Sequence, residues 1–382
     1  MNTKKLYYED CHLRNFSATV LSCEKSEKGF EVILDATAFY PEGGGQASDI
    51  GTLGGVRVLH AEESDDAIVH LCDGALAVGE TVEGQIDYDH RFDLMQQHTG
   101  EHILSGIIHE KYGYHNTGFH VGADTVTIDF DGMIPPEDIP ELETLANRIV
   151  WDNRQIRCGY PSPEELKTIP YRSKRELPWP VRIVEVPDTD ICACCGVHVA
   201  YTGEVGCIKL LSCVKFHQGV RMELVCGGRA LRWYQNVYEQ NRLVSQAFSA
   251  KILETGAAAQ KMNEALANEK FRGNTLEKQV FQAIAKGYEN AGNVLHFADN
   301  LTPGSLRELA DQIAKVCNGI AAVLSGADDT GYAVCLIGDG AKELGGDAAK
   351  ALNGRGGGKP GTFQGSISAT RTQIEDFFST RF

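Results

Sequence analysis

Two short spacings constrain this chain more than anything else in it. Within RFDLMQQHTGEHILSGIIHEKYGYHNTGFHVGADTVTIDF, residues 91 to 130, His98 and His102 stand four residues apart. Leu94, Ile103, Leu104, Ile107 and Ile108 recur around them at helical spacing, which predicts an amphipathic helix. Residues four apart on a helix share a face about one turn apart, so both imidazoles can reach one metal ion. Far downstream, ICACCGVHVAYTGEVG repeats the interval with a thiol in first place, Cys194 and His198. A His, His, Cys, His set suits zinc by ligand type and number. With twelve histidines and twelve cysteines in the chain, either spacing alone is within reach of chance. A helix-face histidine pair and an unrelated thiol would explain each one separately, and only the two together argue for a metal.

A chain of 382 residues exceeds one ordinary core and predicts roughly two to four domains. Its 42% hydrophobic and 23% charged content fits a soluble globular protein. No apolar run approaches the length of a membrane span, and MNTKKLYYEDCHLRNF lacks the apolar core of a signal peptide. Cysteines scattered without a compact framework, with a CxCC cluster beside a histidine, suit a reducing, cytoplasmic compartment. A net charge of −16 excludes broad, non-specific nucleic-acid binding, which needs Lys and Arg against phosphate. An RNA-binding surface on this chain has to be a local patch.

The expected organisation is α+β in four parts. Residues 1–88 read as a small β-barrel, because FEVILDATAF, VRVLHA, AIVHLC and TVEGQIDYD are short apolar or alternating runs broken by Gly and Asp. Inside it, TAFYPEGGGQASDIG (37 to 51) carries three successive glycines after Pro41 and Glu42. They free the backbone to approach a ligand and present N–H groups, or they simply turn a hairpin. Residues 89–230 read as an α+β zinc-containing domain. Its parts are the first helix, the strand TVTIDF, the helix ELETLANRIVWDNRQI entered through Pro135, Pro136 and Pro140, the strand VRIVEV, and the strand pair IKLLSCVKF and VRMELVCG about HQG. Cys195, next to Cys194, could compete for the metal, whereas the strand cysteines read as buried structural thiols. Residues 231–290 form a helical connector with stripes at Met262–Leu266 and Leu276–Val280–Ile284. These are expected to pack mainly within the chain, with a homodimer contact as the weaker use. Residues 291–382 alternate NVLHFAD, SLRELADQIAKVC, GIAAVLSG and GYAVCLIG as a separate α/β domain with a βαβ unit. Its last loop, LNGRGGGKPGTFQGS, joins glycines to Arg355 and Lys359 and is suited to phosphate. It is not a Walker loop, because Pro360 follows the lysine.

HTGEHIL, TGFHVGADTVTIDF and CCGVHVAYTGEVG, taken in that order, resemble the editing domain of alanyl-tRNA synthetase. They resemble the free-standing AlaX-type alanyl-tRNA editing proteins more closely still. In that family an aromatic-Pro-x-x-Gly-Gly-Gln-x-x-Asp-x-Gly loop precedes the HxxxH helix, and Tyr40, Pro41, Gly44, Gly45, Gln46, Asp49 and Gly51 fit it. A GRGGGKP-x-x-x-QG segment marks the synthetase's C-terminal domain, and Arg355, Gly356, Gly357, Gly358, Lys359, Pro360, Gln364 and Gly365 match it. The resemblance thus covers most of the chain, with its motifs in family order.

That resemblance implies a zinc-dependent hydrolase acting in trans on tRNA(Ala) mischarged with serine or, as second candidate, glycine. His98, His102, Cys194 and His198 would hold one zinc. Gly44, Gly45 and Gln46 would wall the site for the tRNA 3′ end, with backbone N–H groups of residues 43 to 46 facing a developing oxyanion. Thr117 could hydrogen-bond a substrate hydroxyl with His120 beside it, or cap a turn. Asp129 could orient a ligand imidazole. Arg355, Gly356, Gly357 and Lys359 would contact tRNA. The synthetase's aminoacylation domain has no counterpart in the sequence, which implies that the chain does not charge tRNA. Val197 stands where the family commonly has Thr, which puts fine specificity in question, and Glu101 stands where the family varies. HTGEH also satisfies His-x-x-Glu-His, so a zinc peptidase with Glu101 as general base is one alternative. A non-catalytic tRNA-binding module with a structural zinc closed by four protein ligands is another.

Overall fold

The computed structural model describes residues 2–65, 67–173, 177 and 179–382. Eight strands come first: β1 (Lys4–Lys5), β2 (Asn15–Ser26), β3 (Gly29–Leu34), β4 (Ala36–Thr37), β5 (Gly51–Leu53), β6 (Val56–Ser64), β7 (Ala67–Cys72) and β8 (Thr81–Ile86). Six of them close a barrel in the order β2-β3-β7-β6-β5-β8, antiparallel throughout. The period-two alternation supplies the lining: Phe16, Ala18, Val20, Val32, Leu34, Ile68, Val82 and Ile86 all point into one core. β1 and β4 pair in parallel beside it.

Helix α1 (Tyr88–Tyr112) follows, its N-terminus capped by the Asp87 carboxylate, which accepts from the His90 N–H, and its end marked by Gly113. The sequence predicts an amphipathic helix; the structure shows one buried on every side from Leu94 to Ile108. Sheet and helix enclose it all round, and its polar side chains are satisfied inside. Gln97 donates to the Cys226 carbonyl and accepts from the Cys226 N–H, while Gln96 donates to the Glu204 carbonyl. Each of the five aliphatic side chains at 94, 103, 104, 107 and 108 contributes about 1.5–3 kcal/mol by burial, so α1 is the axis of this core.

Around α1 lie β9 (Asn116–Val121), β10 (Val126–Phe130), α2 (Ile139–Trp151), β11 (Arg157–Gly159), α3 (Pro163–Leu166), β12 (Ile183–Val186), β13 (Asp190–Ala193), β14 (Ile208–Phe216) and β15 (Gly219–Cys226). One four-stranded sheet runs β14-β15-β10-β9 and a second, three-stranded, runs β11-β12-β13, both antiparallel. Barrel, α1 and both sheets belong to the first of two compact units, Met1–Asn241; the second is Arg242–Phe382. Helix α4 (Gly227–Phe248) spans the division.

The second unit holds α5 (Thr255–Lys286), β16 (Val294–Ala298), α6 (Pro303–Ala314), β17 (Ala321–Ala327), β18 (Gly331–Ile337), α7 (Ala341–Ala351), β19 (Arg355–Gly357), β20 (Thr362–Ile367) and α8 (Arg371–Ser379). The sheet order is β16-β17-β18-β20-β19. β16 and β17 are parallel, joined through α6, and the other pairs are antiparallel. Strand β17 is buried on both faces: Ala321 and Val323 pack with α6 and the end of α5, Ala322 and Leu324 with α7 and α8. That accounts for its unbroken apolar run.

Two expectations change here. The GRGGGKP segment begins as the edge strand β19 and not as a loop, with Gly356 opposite Gly365 and Gly357 opposite Gln364. A Cβ on Gly356 would lie 2.5 Å from the Gln364 carbonyl oxygen and 2.6 Å from the Phe363 ring, so this glycine serves close strand packing. Second, the stripe on α5 packs within its unit only at its end: Ile284 lies against the core with Val294, Leu309 and Ile313, whereas Met262, Leu266, Leu276 and Val280 are each about half exposed. Among the described residues, no helix is long and apolar enough to cross a membrane.

Candidate metal centre

Helix α1 delivers His98 and His102 one turn apart, and the β12–β13 hairpin, with Ile183 opposite Ala193, delivers the loop carrying Cys194 and His198. One ligand atom from each of these four residues lies within 4.8 Å of the others. Cys194 Sγ is 3.4 Å from His98 Nε2 and 3.5 Å from His198 Nε2. A tetrahedral zinc with Zn–S near 2.3 Å and Zn–N near 2.0–2.1 Å has S···N edges of about 3.5 Å, so the donor set fits zinc. The three histidines are buried and Cys194 is half-buried.

Each imidazole is held from behind. His98 Nδ1 lies 2.7 Å from Gln46 Oε1, His102 Nδ1 lies 2.9 Å from Asp190 Oδ2, and His198 Nδ1 lies 3.2 Å from Thr99 Oγ1. The amide and carboxylate oxygens are acceptors, so they keep the proton on Nδ1 and leave Nε2 facing the other ligands, as in metal-bound histidines generally. Arg172 in turn clamps Asp190, Nε to Oδ1 at 2.7 Å and Nη2 to Oδ2 at 2.9 Å.

The charge state matches a ligand set. Burial opposes ionisation of Cys194, yet the His98 and His102 imidazoles beside it bring its thiol well below the usual range. Thiolate is the metal-binding form. Burial, with His102 and His98 nearby, lowers His198 to about 3, so it stays neutral. Burial also disfavours a charged His102, but Cys194 and Asp190 outweigh it and raise His102 well above its ordinary value. A bound cation would take the place of that imidazolium proton.

His98, His102 and Cys194 open onto a cavity of about 700 Å³, with His198 behind them. Its walls include Phe119, whose ring centre is 4.8 Å from that of His98, together with Tyr8, Arg182, Tyr160 and Gly44. The Gly44 wall is set by buried charge. Arg91 donates through Nε to both Asp49 oxygens (2.7 and 2.8 Å) and through its other nitrogens to the Ala38 and Cys11 carbonyls, while Asp49 accepts the Tyr40 N–H. Within the loop, Gly43 and Gln46 exchange backbone hydrogen bonds at 3.1 and 3.0 Å. Among the described residues, the N–H groups of Gly44 and Gly45 have no backbone acceptor, unlike those of Gly43 and Gln46. Gly45 has φ 85°, and a Cβ there would sit 2.6 Å from the Phe119 ring, so only glycine fits.

The other expected residues fall as follows. Thr117 is exposed, its hydroxyl donating to the Asp129 carbonyl at 3.3 Å, and His120 is exposed on the same strand. Neither lines the cavity; their strand neighbours Asn116 and Phe119 do. Asp129 orients no imidazole, because its carboxylate is taken by Arg221 through two bonds of 2.7 Å. Cys195 stays out of the four-atom set and is exposed, its Sγ 3.9 Å from the Tyr40 hydroxyl. Arg355, Gly356, Gly357 and Lys359 are all exposed on the second unit. Asp190 and Arg172 went unrecognised in the sequence. The one available signal for Asp190 was its place four residues before Cys194 in DTDICACC, and nothing marked Arg172. His102, Asp190 and Cys192 also form a close trio, but Asp190 contacts His102 through Nδ1 and is spent on Arg172.

Two family models match the chain: "tRNA synthetases class II (A)" over residues 2–90, the barrel, and "Threonyl and Alanyl tRNA synthetase second additional domain" over residues 181–222. The second segment contains Cys194 and His198. Among curated proteins, the alanine–tRNA ligase of Thermofilum pendens is 33% identical over 97% of this chain and 43% of its own length. That of Pyrococcus abyssi is 32% identical over 96% of this chain and 42% of its own. The alanyl-tRNA editing protein Aarsd1 of Danio rerio is 26% identical over 97% of this chain and 96% of its own length. The chain therefore spans about two fifths of those ligases and nearly all of the zebrafish protein.

Proposed function

The chain belongs to the family that joins alanyl-tRNA synthetase to the alanyl-tRNA editing proteins, and on that premise we propose that it is a zinc-dependent deacylase of mischarged tRNA(Ala). The substrate is Ser-tRNA(Ala), with Gly-tRNA(Ala) second, and the protein acts in trans. Action in trans follows the likeness to the Danio rerio protein, which is named as an alanyl-tRNA editing protein and not as a ligase. The observation that carries the reading is the convergent tetrad, each histidine held at Nδ1, beside a cavity that His98, His102 and Cys194 line together with Gly44.

In the reaction, water adds to the ester carbonyl carbon and the bond to the ribose oxygen breaks. The amino acid leaves and the terminal hydroxyl is restored. His98, His102, Cys194 and His198 would hold the zinc, which would supply a Lewis acid for water or carbonyl or else orient the substrate amino group. Gln46, Asp190 and Thr99 keep the ligands oriented, and the Gly44 and Gly45 N–H groups are offered to the oxyanion. Substrate contacts expected at Thr117 and His120 shift in this reading to Asn116 and Phe119, the β9 residues that line the cavity. Exposed Arg355 and Lys359 contact tRNA phosphate. The half-exposed seam on α5 is where a second copy would dock, and the setting is cytoplasmic, where charged tRNA and reduced thiols coexist. The peptidase alternative leaves Cys194 and His198 without a role, although both converge on the histidine pair.

The test is hydrolysis of Ser-, Gly- and Ala-tRNA(Ala) by the purified protein. Release of serine or glycine with alanine spared is the expected result. Release from none of the three would defeat the reading.

A further inference from the structure

One acidic side chain at the cavity is left over by this account. Glu101, 4% exposed, lies between the two α1 histidines in sequence and lines the cavity with Asn116. Its Oε1 accepts from the Ser105 hydroxyl at 2.6 Å and from Asn116 Nδ2. Its Oε2 lies 3.8 Å from His102 Nε2, the nitrogen on the metal-facing side. Arg172, the next cation on this wall, is committed to Asp190. Asn116, 6% exposed, is fixed in orientation because its nitrogen faces two acceptors, Glu101 Oε1 and Ser105 Oγ (3.4 Å). Its oxygen is buried and, among the described residues, has no hydrogen-bond donor. A buried carbonyl without a donor is costly, so a native one calls for an explanation in what it meets.

We propose that Glu101 and Asn116 together seat the α-ammonium group of the aminoacyl ester. The inference rests on the deacylase reading above and names the part of the substrate that this wall receives. The chemistry is selective: one carboxylate oxygen and one amide oxygen, acceptors both, match a primary ammonium with three N–H donors better than a hydroxyl with one. The amine is separated from the ester carbonyl by a single carbon. Seating it beside His102 therefore brings the scissile bond to the tetrad. It follows that esters whose amine is acylated, peptidyl esters included, are rejected here: they carry no positive charge, and their added acyl group has to enter a wall built of buried side chains.

The test is binding, so that it stands apart from turnover. The zinc-loaded full chain is titrated calorimetrically with 3′-deoxy-3′-(L-seryl)aminoadenosine, a non-hydrolysable amide, and with its N-acetyl derivative. Metal content is measured in every sample. The free amine is expected to bind wild type about 10- to 100-fold more tightly than the acetylated form, and Glu101→Gln to bring that ratio close to one with zinc retained. An unchanged ratio in Glu101→Gln, equal affinities in wild type, or no binding to wild type overturns the proposal. Should Glu101→Gln lose zinc, Asn116→Ala carries the test: a fall in the ratio of about 5-fold or more supports the seat, and an unchanged ratio refutes it. An amine preference that depends on Glu101, in a protein that releases no amino acid from tRNA, would leave the seat standing and remove the deacylase reading.

Discussion

Replacing Asp190 by Asn reports on the tetrad without touching a ligand. Asp190 is buried, accepts His102 Nδ1 at 2.9 Å and receives two bonds from Arg172, whose side chain is only 13% exposed. Asparagine keeps the shape but turns one acceptor into a donor. Its amide nitrogen must then face either His102 or Arg172, both of which are donors. Stripping a buried ion pair of one charge costs about 3–5 kcal/mol, and the surviving acceptor returns about 1 kcal/mol, for a net loss of about 2–4 kcal/mol. Loss of the acceptor behind a ligand histidine also costs about 10- to 100-fold in metal affinity. All three tryptophans, Trp151, Trp179 and Trp233, lie in the first unit, so urea unfolding followed by tryptophan fluorescence isolates that unit. Zinc affinity is read by competition with a chromophoric chelator. Stability within about 0.5 kcal/mol of wild type, together with zinc affinity within about twofold, would refute the reasoning.

His70 gives the barrel an acid-sensitive element. It is fully buried, bonded to the Val32 carbonyl and the Thr37 hydroxyl, and burial lowers its pKa from 6.5 to about 4. The unfolded chain therefore binds the extra proton first. The contribution is complete above pH 6.5 and is lost as pH falls toward 4, about 3 kcal/mol in all. Unfolding at a series of pH values should show this slope flattened in His70→Gln, and an identical slope would count against it. Arg91→Met strands the buried Asp49 carboxylate and should destabilise the first unit by about 3–5 kcal/mol in the same urea assay, whereas a neutral effect would show that the pair does not hold the Gly44–Gln46 turn. Arg355→Ala combined with Lys359→Ala should weaken tRNA binding and reduce the slope of log affinity against log salt by about 2, with turnover at saturating tRNA retained; an unchanged slope would remove the phosphate contact.

The sequence reading went furthest where a local pattern has one physical meaning. The spacings of His98–His102 and Cys194–His198 survive folding because a helix turn and a short loop preserve them. The alternation in TVEGQI and TVTIDF gives strands β8 and β10. Less was legible where a contact joins distant segments. Nothing local shows that Asp190 meets His102, or that Asp129 is spent on Arg221 and not on an imidazole. Thr117 and Asn116 are adjacent, and which of them faces the cavity depends on strand register, which flips every side chain when it shifts by one. The Arg355–Gly357 segment has loop composition, yet pairing with β20 makes it a strand, because glycine permits close approach as readily as it permits turning. The sequence of α1 predicts amphipathicity, whereas its polar residues are buried and bonded, a state that composition does not distinguish from exposure.

The central claim is that the His98, His102, Cys194 and His198 centre drives ester hydrolysis. It is tested most directly by serine release from Ser-tRNA(Ala) as chelator-treated protein is titrated with zinc. The expected curve starts at background and rises in proportion to added zinc. It breaks at one zinc per chain, and Cys194→Ala recovers none of the rate. A full rate in metal-free protein, or full recovery in Cys194→Ala, would contradict the account.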